Sequence, residues 1–170
     1  MSAVVLQPPE IPHVCKAPVI FLAGPIQGAP PWQAIAVEYI RSHSDGITIA
    51  NPRRDAIEKL DERGYEKQVE WEHLFLQAAI TSGVVMFWLA AEGNHDCSRA
   101  YAQTTRFELG EAMVRHSVAN ARVVVGVEAG FSGAQYIKKT LRDKTPRIPV
   151  LSSLEETCAE AIRLASPPNT

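Results

Sequence analysis

The chain has 170 residues, 46% of them apolar, and a formal net charge of −2. That length suits one packed domain and is short for two. The near-neutral balance, with no basic cluster longer than Arg53-Arg54, argues against a nucleic-acid polymer as partner, and the longest apolar run, Gly83 to Ala91, falls well short of the roughly 20 residues of a membrane helix.

In chain order, Met1 to Pro18 carries several prolines and no periodicity and reads as a loosely held tail. Val19-Ile20-Phe21-Leu22-Ala23, closed by Gly24-Pro25, has the continuous apolar pattern of a strand buried on both faces of a parallel sheet. Trp32, Ile35, Ala36, Tyr39 and Ile40 then recur at helical spacing, with Pro30 and Pro31 near the helix start. Gly46 to Ala50 reads as a second strand ending in Asn51-Pro52-Arg53-Arg54, and Tyr65 to Ser82 as a long helix with Val69, Leu76, Ala79 and Ile80 inward.

Val84 to Leu89 is the strongest strand signal. A long polar loop, Glu92 to Thr104, separates it from a helix over Thr105 to His116. Arg122 to Val127 makes a fourth strand and Ile148 to Leu151 a weaker fifth, and Ser153-Leu154-Glu155-Glu156 opens the last helix as a capping box. The alternation predicts an α/β fold, a flavodoxin-like doubly wound sheet of five parallel strands with helices on both faces. A single domain over 19–165 is expected, with a C-terminal tail over 166–170. Ligands of such sheets sit at the carboxyl ends of the strands where the strand order reverses. That rule selects the loops after Ala23, Ala50, Leu89 and Val127.

Glu108, just beyond the long loop, falls on the rim of that crevice, where a carboxylate near a helix N-terminus stays ionised as a nucleophile must. The same Thr105-x-x-Glu108 spacing also satisfies a capping box, which would make the residue structural. Glu72 shares a helical face with Val69, Leu76 and Ala79, and an inward carboxylate is costly unless paired or functional. Beside a second acid its pKa would rise and it could donate a proton; partial exposure or pairing with Arg53 or Arg54 would serve equally well.

Gly24-Pro25 would let backbone approach a ligand, and Asn51 stands at the end of the second strand. Arg53 and Arg54 could clamp a phosphate or form a solvated turn. Trp88 and Tyr101 could stack on a planar ligand or simply pack. No dinucleotide or P-loop glycine motif occurs, and His95-Asp96-Cys97 has no second ligand pair, so neither cofactor nor metal is expected. Cys15, Cys97 and Cys158 are odd in number and far apart and read as reduced thiols; with no secretory signal at the N-terminus, the expected location is cytoplasmic.

Phe21-Leu22-Ala23-Gly24-Pro25, Gln68-Val69-Glu70-Trp71-Glu72, Phe87-Trp88-Leu89 and Phe107-Glu108-Leu109-Gly110 together resemble the nucleoside 2-deoxyribosyltransferase family, with its nucleotide N-glycosidase relatives. The likeness runs from Val19 to about Ile137, and its Glu-Leu-Gly element is the most specific. It implies that Glu108 is a nucleophile that attacks C1′ and expels the base. A second base as acceptor gives transfer of 2-deoxyribose, and water gives hydrolysis, as in a nucleoside monophosphate N-glycosidase. The partners implied are a nucleoside or nucleotide and a free nucleobase. A homodimer or higher homo-oligomer is also implied, with the segment Phe131 to Ile137 reaching into a neighbour's site. The family's usual aspartates are replaced: the helix offers Glu72, and the loop offers Glu92 or Asp96. A reading of another class, a non-catalytic nucleotide-binding module with Glu108 as a helix cap, accounts for those replacements.

Overall fold

The computed structural model describes residues 3–12, 18–54 and 60–166. Its elements, in order, are β1 (Val4–Leu6), β2 (Val19–Ala23), α1 (Trp32–His43), β3 (Thr48–Ala50), α2 (Glu62–Ser82), β4 (Val84–Leu89), α3 (Gln103–Ala119), β5 (Val123–Val127), α4 (Ala134–Lys144), β6 (Val150–Leu151) and α5 (Leu154–Ala165). All strand pairs are parallel, in the order β1-β3-β2-β4-β5-β6. The fold class is the α/β one expected, consistent with a flavodoxin-like winding, with six strands in place of five.

The additional strand comes from the segment read as a loose tail. Val4, Val5 and Leu6 pair with Thr48, Ile49 and Ala50 at one edge of the sheet, and the Trp71 indole N–H donates to the Glu10 carbonyl at 2.8 Å. Three residues, followed closely by Pro8-Pro9, are too short to show a period. Cys15 and the final residues 167–170 lie outside the described residues. Helix α4 was also not predicted: only its Leu141 is fully buried, so its sequence carries little apolar signal.

β2, β4 and β5 are buried along their whole lengths, as their continuous apolar runs require. Alternate residues feed two cores. Phe21, Val85, Phe87 and Val125 pack under α2, α3 and α4 with Trp71, Phe75, Leu109 and Leu141. On the other face, Ile20, Leu22, Met86 and Val124 pack under α1 and α5 with Trp32, Ile40 and Cys158.

The helix starts follow local chemistry where they can. Asp61 Oδ1 accepts from the Gly64 N–H at 2.7 Å at the head of α2, and Ser153 Oγ accepts from the Glu156 N–H at 3.2 Å, the predicted capping box. The head of α3 departs from expectation. The helix begins at Gln103 behind Ala102, a left-handed residue with φ 56° and no capping side chain. Thr105 therefore lies inside the helix and buried, and Glu108 lies in its second turn. The capping-box reading of Thr105 and Glu108 is not realised.

Candidate active site

The strand order reverses between β2 and β4, since β2 is followed in the chain by β3 on one side and then by β4 on the other. Their carboxyl ends, Ala23 and Leu89, open the crevice. Two loops are stapled to each other across it. The Gly28 carbonyl accepts from the N–H groups of Gly93 at 2.8 Å and Asn94 at 3.1 Å, and Arg99 Nη1 donates to the Gln27 carbonyl at 3.0 Å. The long loop is thereby fixed as one wall of the site.

Two carboxylates, Glu72 of α2 and Glu108 of α3, lie near enough for the charge of one to bear on the other. Glu108 is pushed up to about 7 by burial first, then by the negative charges of Glu72 and Glu111. Glu72 is also raised by burial, against the opposing influence of a hydrogen bond from Gln68 and the charge of His73. Gln68 Nε2 donates to Glu72 Oε1 at 2.7 Å and to the Pro52 carbonyl at 3.0 Å, which anchors Glu72 to the end of β3. The expectation that Glu108 is held ionised by its helix N-terminus is corrected: second-turn placement takes it away from the free N–H groups, and burial beside a like charge favours the proton. Near neutrality the proton of the two carboxyls therefore rests on Glu108, the one pushed up to about 7.

Tyr101 donates its hydroxyl to the Ala90 carbonyl at 2.8 Å, and its ring centroid lies 6.1 Å from that of Phe131. Burial, followed by the charges of Glu92 and Glu128, lifts its phenol to about 12, so it remains a neutral donor. Arg106 spans the crevice rim. Its guanidinium carbon sits 4.7 Å from the Phe131 ring centroid, and Nη2 donates to the Ser132 carbonyl at 2.7 Å. Glu128 Oε2 accepts from the Ala91 N–H at 2.7 Å. Glu92 Oε2 meets His95 Nδ1 at 2.8 Å, while Glu92 Oε1 is buried without a hydrogen-bond partner.

Other residues singled out from sequence are placed differently. Trp88 is 4% exposed in the core under α1 and α5, against Gly126, where a Cβ would strike its ring. Its ring packs into this core. Gly24 allows a close approach, but to the protein itself: a Cβ there would run into the Trp88 carbonyl oxygen and the Trp32 ring. The Pro25 carbonyl is taken by the Trp32 indole N–H at 2.9 Å. Asn51 is buried, and its Oδ1 accepts from the Arg53 N–H at 3.0 Å. Arg53 Nη1 turns to α1, donating to Pro30 O at 3.2 Å and to Gln33 Oε1 at 3.1 Å. Arg54 is half-buried.

Sequence reasoning missed Gln68 and Glu128 as site residues. Gln68 lies four residues before Glu72, the spacing that places two side chains together on a helix. Glu128 lies in the carboxyl-end window after β5 that the topology had already marked.

Among the described residues no helix is long and apolar enough to cross a membrane. A doubly wound sheet with paired carboxylates at its switch point suits chemistry on a small polar ligand. The chain belongs to the family described as nucleoside 2-deoxyribosyltransferase like, whose model matches residues 17–131. That membership supports an enzyme of the glycosyltransferase kind and implies small-molecule substrates of the nucleoside and nucleobase class. Among curated proteins none matches the chain. The matched span includes β2 to β5 and both Glu72 and Glu108; α4, β6 and α5 lie beyond it.

Proposed function

We propose that the protein transfers 2-deoxyribose between nucleobases through a covalent glycosyl-enzyme on Glu108, with Glu72 as the acid and base. The observation that carries this reading is the convergence of the two carboxyls beside the switch-point crevice, close enough for Glu72 to raise the pKa of Glu108. Near neutrality the pair's one proton rests on Glu108; passed to Glu72 as substrate binds, it gives the reaction what it needs, an ionised attacking oxygen and a carboxyl that can protonate a leaving group.

In the first step the Glu108 carboxylate attacks C1′ and a C–O ester bond forms. The C1′–N bond breaks, and its electron pair takes the Glu72 proton as the base departs. In the second step a nitrogen of the incoming base attacks C1′, its proton passes to Glu72, and Glu108 leaves as carboxylate. Water in place of the second base would give hydrolysis by the same intermediate. Tyr101 and the Arg99-stapled loop wall the site, and Arg106 holds the 131–132 turn against it. The turning of Arg53 toward α1 favours a substrate without a phosphate, and hence transfer over monophosphate hydrolysis.

The protein acts as a homodimer or larger homo-oligomer. Phe107, 78% exposed, and the exposed Val114 and Val118 follow at spacings of seven and four along one side of α3, next to Glu108. That is more apolar surface than a lone helix face leaves open without a partner.

The test is incubation of a deoxynucleoside with and without a second free base. A new nucleoside formed only with acceptor supports transfer, and free base released regardless supports hydrolysis. Mass spectrometry of the protein with substrate should show a pentosyl adduct on the peptide containing Glu108, and Glu108→Ala should abolish turnover. Full activity in that variant, with no adduct in the wild type, rules the mechanism out.

A further inference from the structure

A second concavity, of about 540 Å³, lies between α1 and the β1–β3 edge of the sheet. Its volume falls in the range that holds small organic ligands. Val5 from β1 and Ala34 and Val37 from α1 give it an apolar lining, and Arg41, Arg53 and Arg54 border it. Ala34, Val37 and Arg41 recur at three and four residues, so one helix face carries both the apolar wall and a cation. None of the described residues lining it is acidic, in a chain whose net charge is −2.

This cleft shares the loop after β3, residues 51–54, with the crevice of Glu72 and Glu108 but opens on the other side of it. It is walled by α1, on the sheet face opposite to α2 and α3. Arg53 gives Nη1 to Pro30 and Gln33, so it serves as a partly committed wall of the cleft. Among the described residues neither Arg41 nor Arg54 has a polar partner in the protein, and Arg54 is only half-exposed. With no carboxylate among the described residues lining the cleft, the half-buried guanidinium offers the strong, forked hydrogen bonding that suits phosphate or carboxylate.

We propose that the cleft between α1 and the β1–β3 edge is a second ligand site that takes an organic phosphate monoester, its anionic head held by Arg41 and Arg54 and its apolar body laid on Val5, Ala34 and Val37. The apolar lining distinguishes this ligand from free phosphate. The arginines distinguish it from a neutral ring compound. The site does not depend on the catalytic assignment of Glu108.

Titration calorimetry of the full chain in a phosphate-free buffer of low ionic strength tests this, with phenyl phosphate, inorganic phosphate and phenol as probes. Phenyl phosphate should bind saturably and at least about 10-fold more tightly than inorganic phosphate, and phenol should give no saturable heat. Arg41→Ala and Arg54→Ala should each weaken phenyl phosphate by at least about 10-fold, the loss expected for a charge-assisted hydrogen bond. Glu108→Gln should leave that binding in place. Absence of saturable binding overturns the proposal, as does binding undiminished in the double arginine variant or binding lost in Glu108→Gln, which would place the probe in the crevice. Should Arg54→Ala melt before the wild type, the exposed Arg41→Ala and the charge-retaining Arg54→Lys decide the matter.

Discussion

Gln68 donates to Glu72 at 2.7 Å and, from the same nitrogen, to the Pro52 carbonyl at 3.0 Å, so one amide fixes an acid of α2 to the end of β3. Because it stabilises the ionised form of Glu72, Gln68→Leu should raise that group further and extend the active range of the pair to higher pH. Turnover should fall by about 10-fold or more through misplacement of the acid. The pH–rate profile separates this from simple damage, which lowers activity at every pH without moving the alkaline limb.

The wild-type pH profile should be bell-shaped. The productive state holds one proton on the pair, so kcat/KM should fall as pH rises beyond about 7, where the higher-titrating member, Glu108, loses its proton, and fall again in acid as the second proton binds. Glu72→Gln removes the like charge and lowers the Glu108 pKa. Its alkaline limb should disappear, leaving activity that rises to a plateau as Glu108 ionises below about 7, while turnover drops by about 100-fold, with substrates whose leaving group needs no proton least affected. An alkaline limb that persists in this variant would show that Glu72 is not the acid.

Glu108 carries a stability cost with a defined sign. Its folded pKa of about 7 stands above the ordinary 4.5, so the folded state binds more protons between those values and stability falls as pH rises through that window. The cost is absent below about 4.5 and complete above about 7. Glu108→Gln should therefore raise the melting temperature at pH 8 and leave it nearly unchanged at pH 4, as thermal denaturation at the two pH values would reveal.

Much of the frame could be read directly because β2, β4 and β5 are buried on both faces and so are written as unbroken apolar runs. Crevice position followed from strand order. β1 escaped because an edge strand of three residues with an exposed Val4 has no pattern to recognise. The capping signature at Thr105 misled because the left-handed Ala102 sets the start of α3 two residues earlier than the local motif suggests. The two roles open for Trp88 could not be told apart from an unbroken apolar run without alternation: it shares a face with Val84 and Met86, which point to α1 and α5, whereas Phe87 and Leu89 point to the side of Glu72 and Glu108.

Gly24→Ala should destabilise the protein by about 1–3 kcal/mol, the usual cost of forcing a methyl into packed surroundings, because the Trp88 carbonyl is backbone and cannot swing aside. Urea denaturation measures this. A neutral result would mean that the loop after β2 is free to shift.

Val114→Glu combined with Val118→Glu should convert an oligomer to monomer, read by sedimentation velocity, since charges on the apolar side of α3 oppose its burial. An unchanged sedimentation coefficient would place any subunit contact elsewhere.

The Trp71–Glu10 hydrogen bond bears on how the protein can be shortened. Starting a chain at residue 17, where the family match begins, would discard β1 and leave one side of β3 with bare amides and carbonyls. An exposed, unpaired strand recruits other strands. A trimmed protein would therefore be expected to clump before it lost its chemistry, and light scattering of the shortened and full chains at matched concentration would tell the two effects apart.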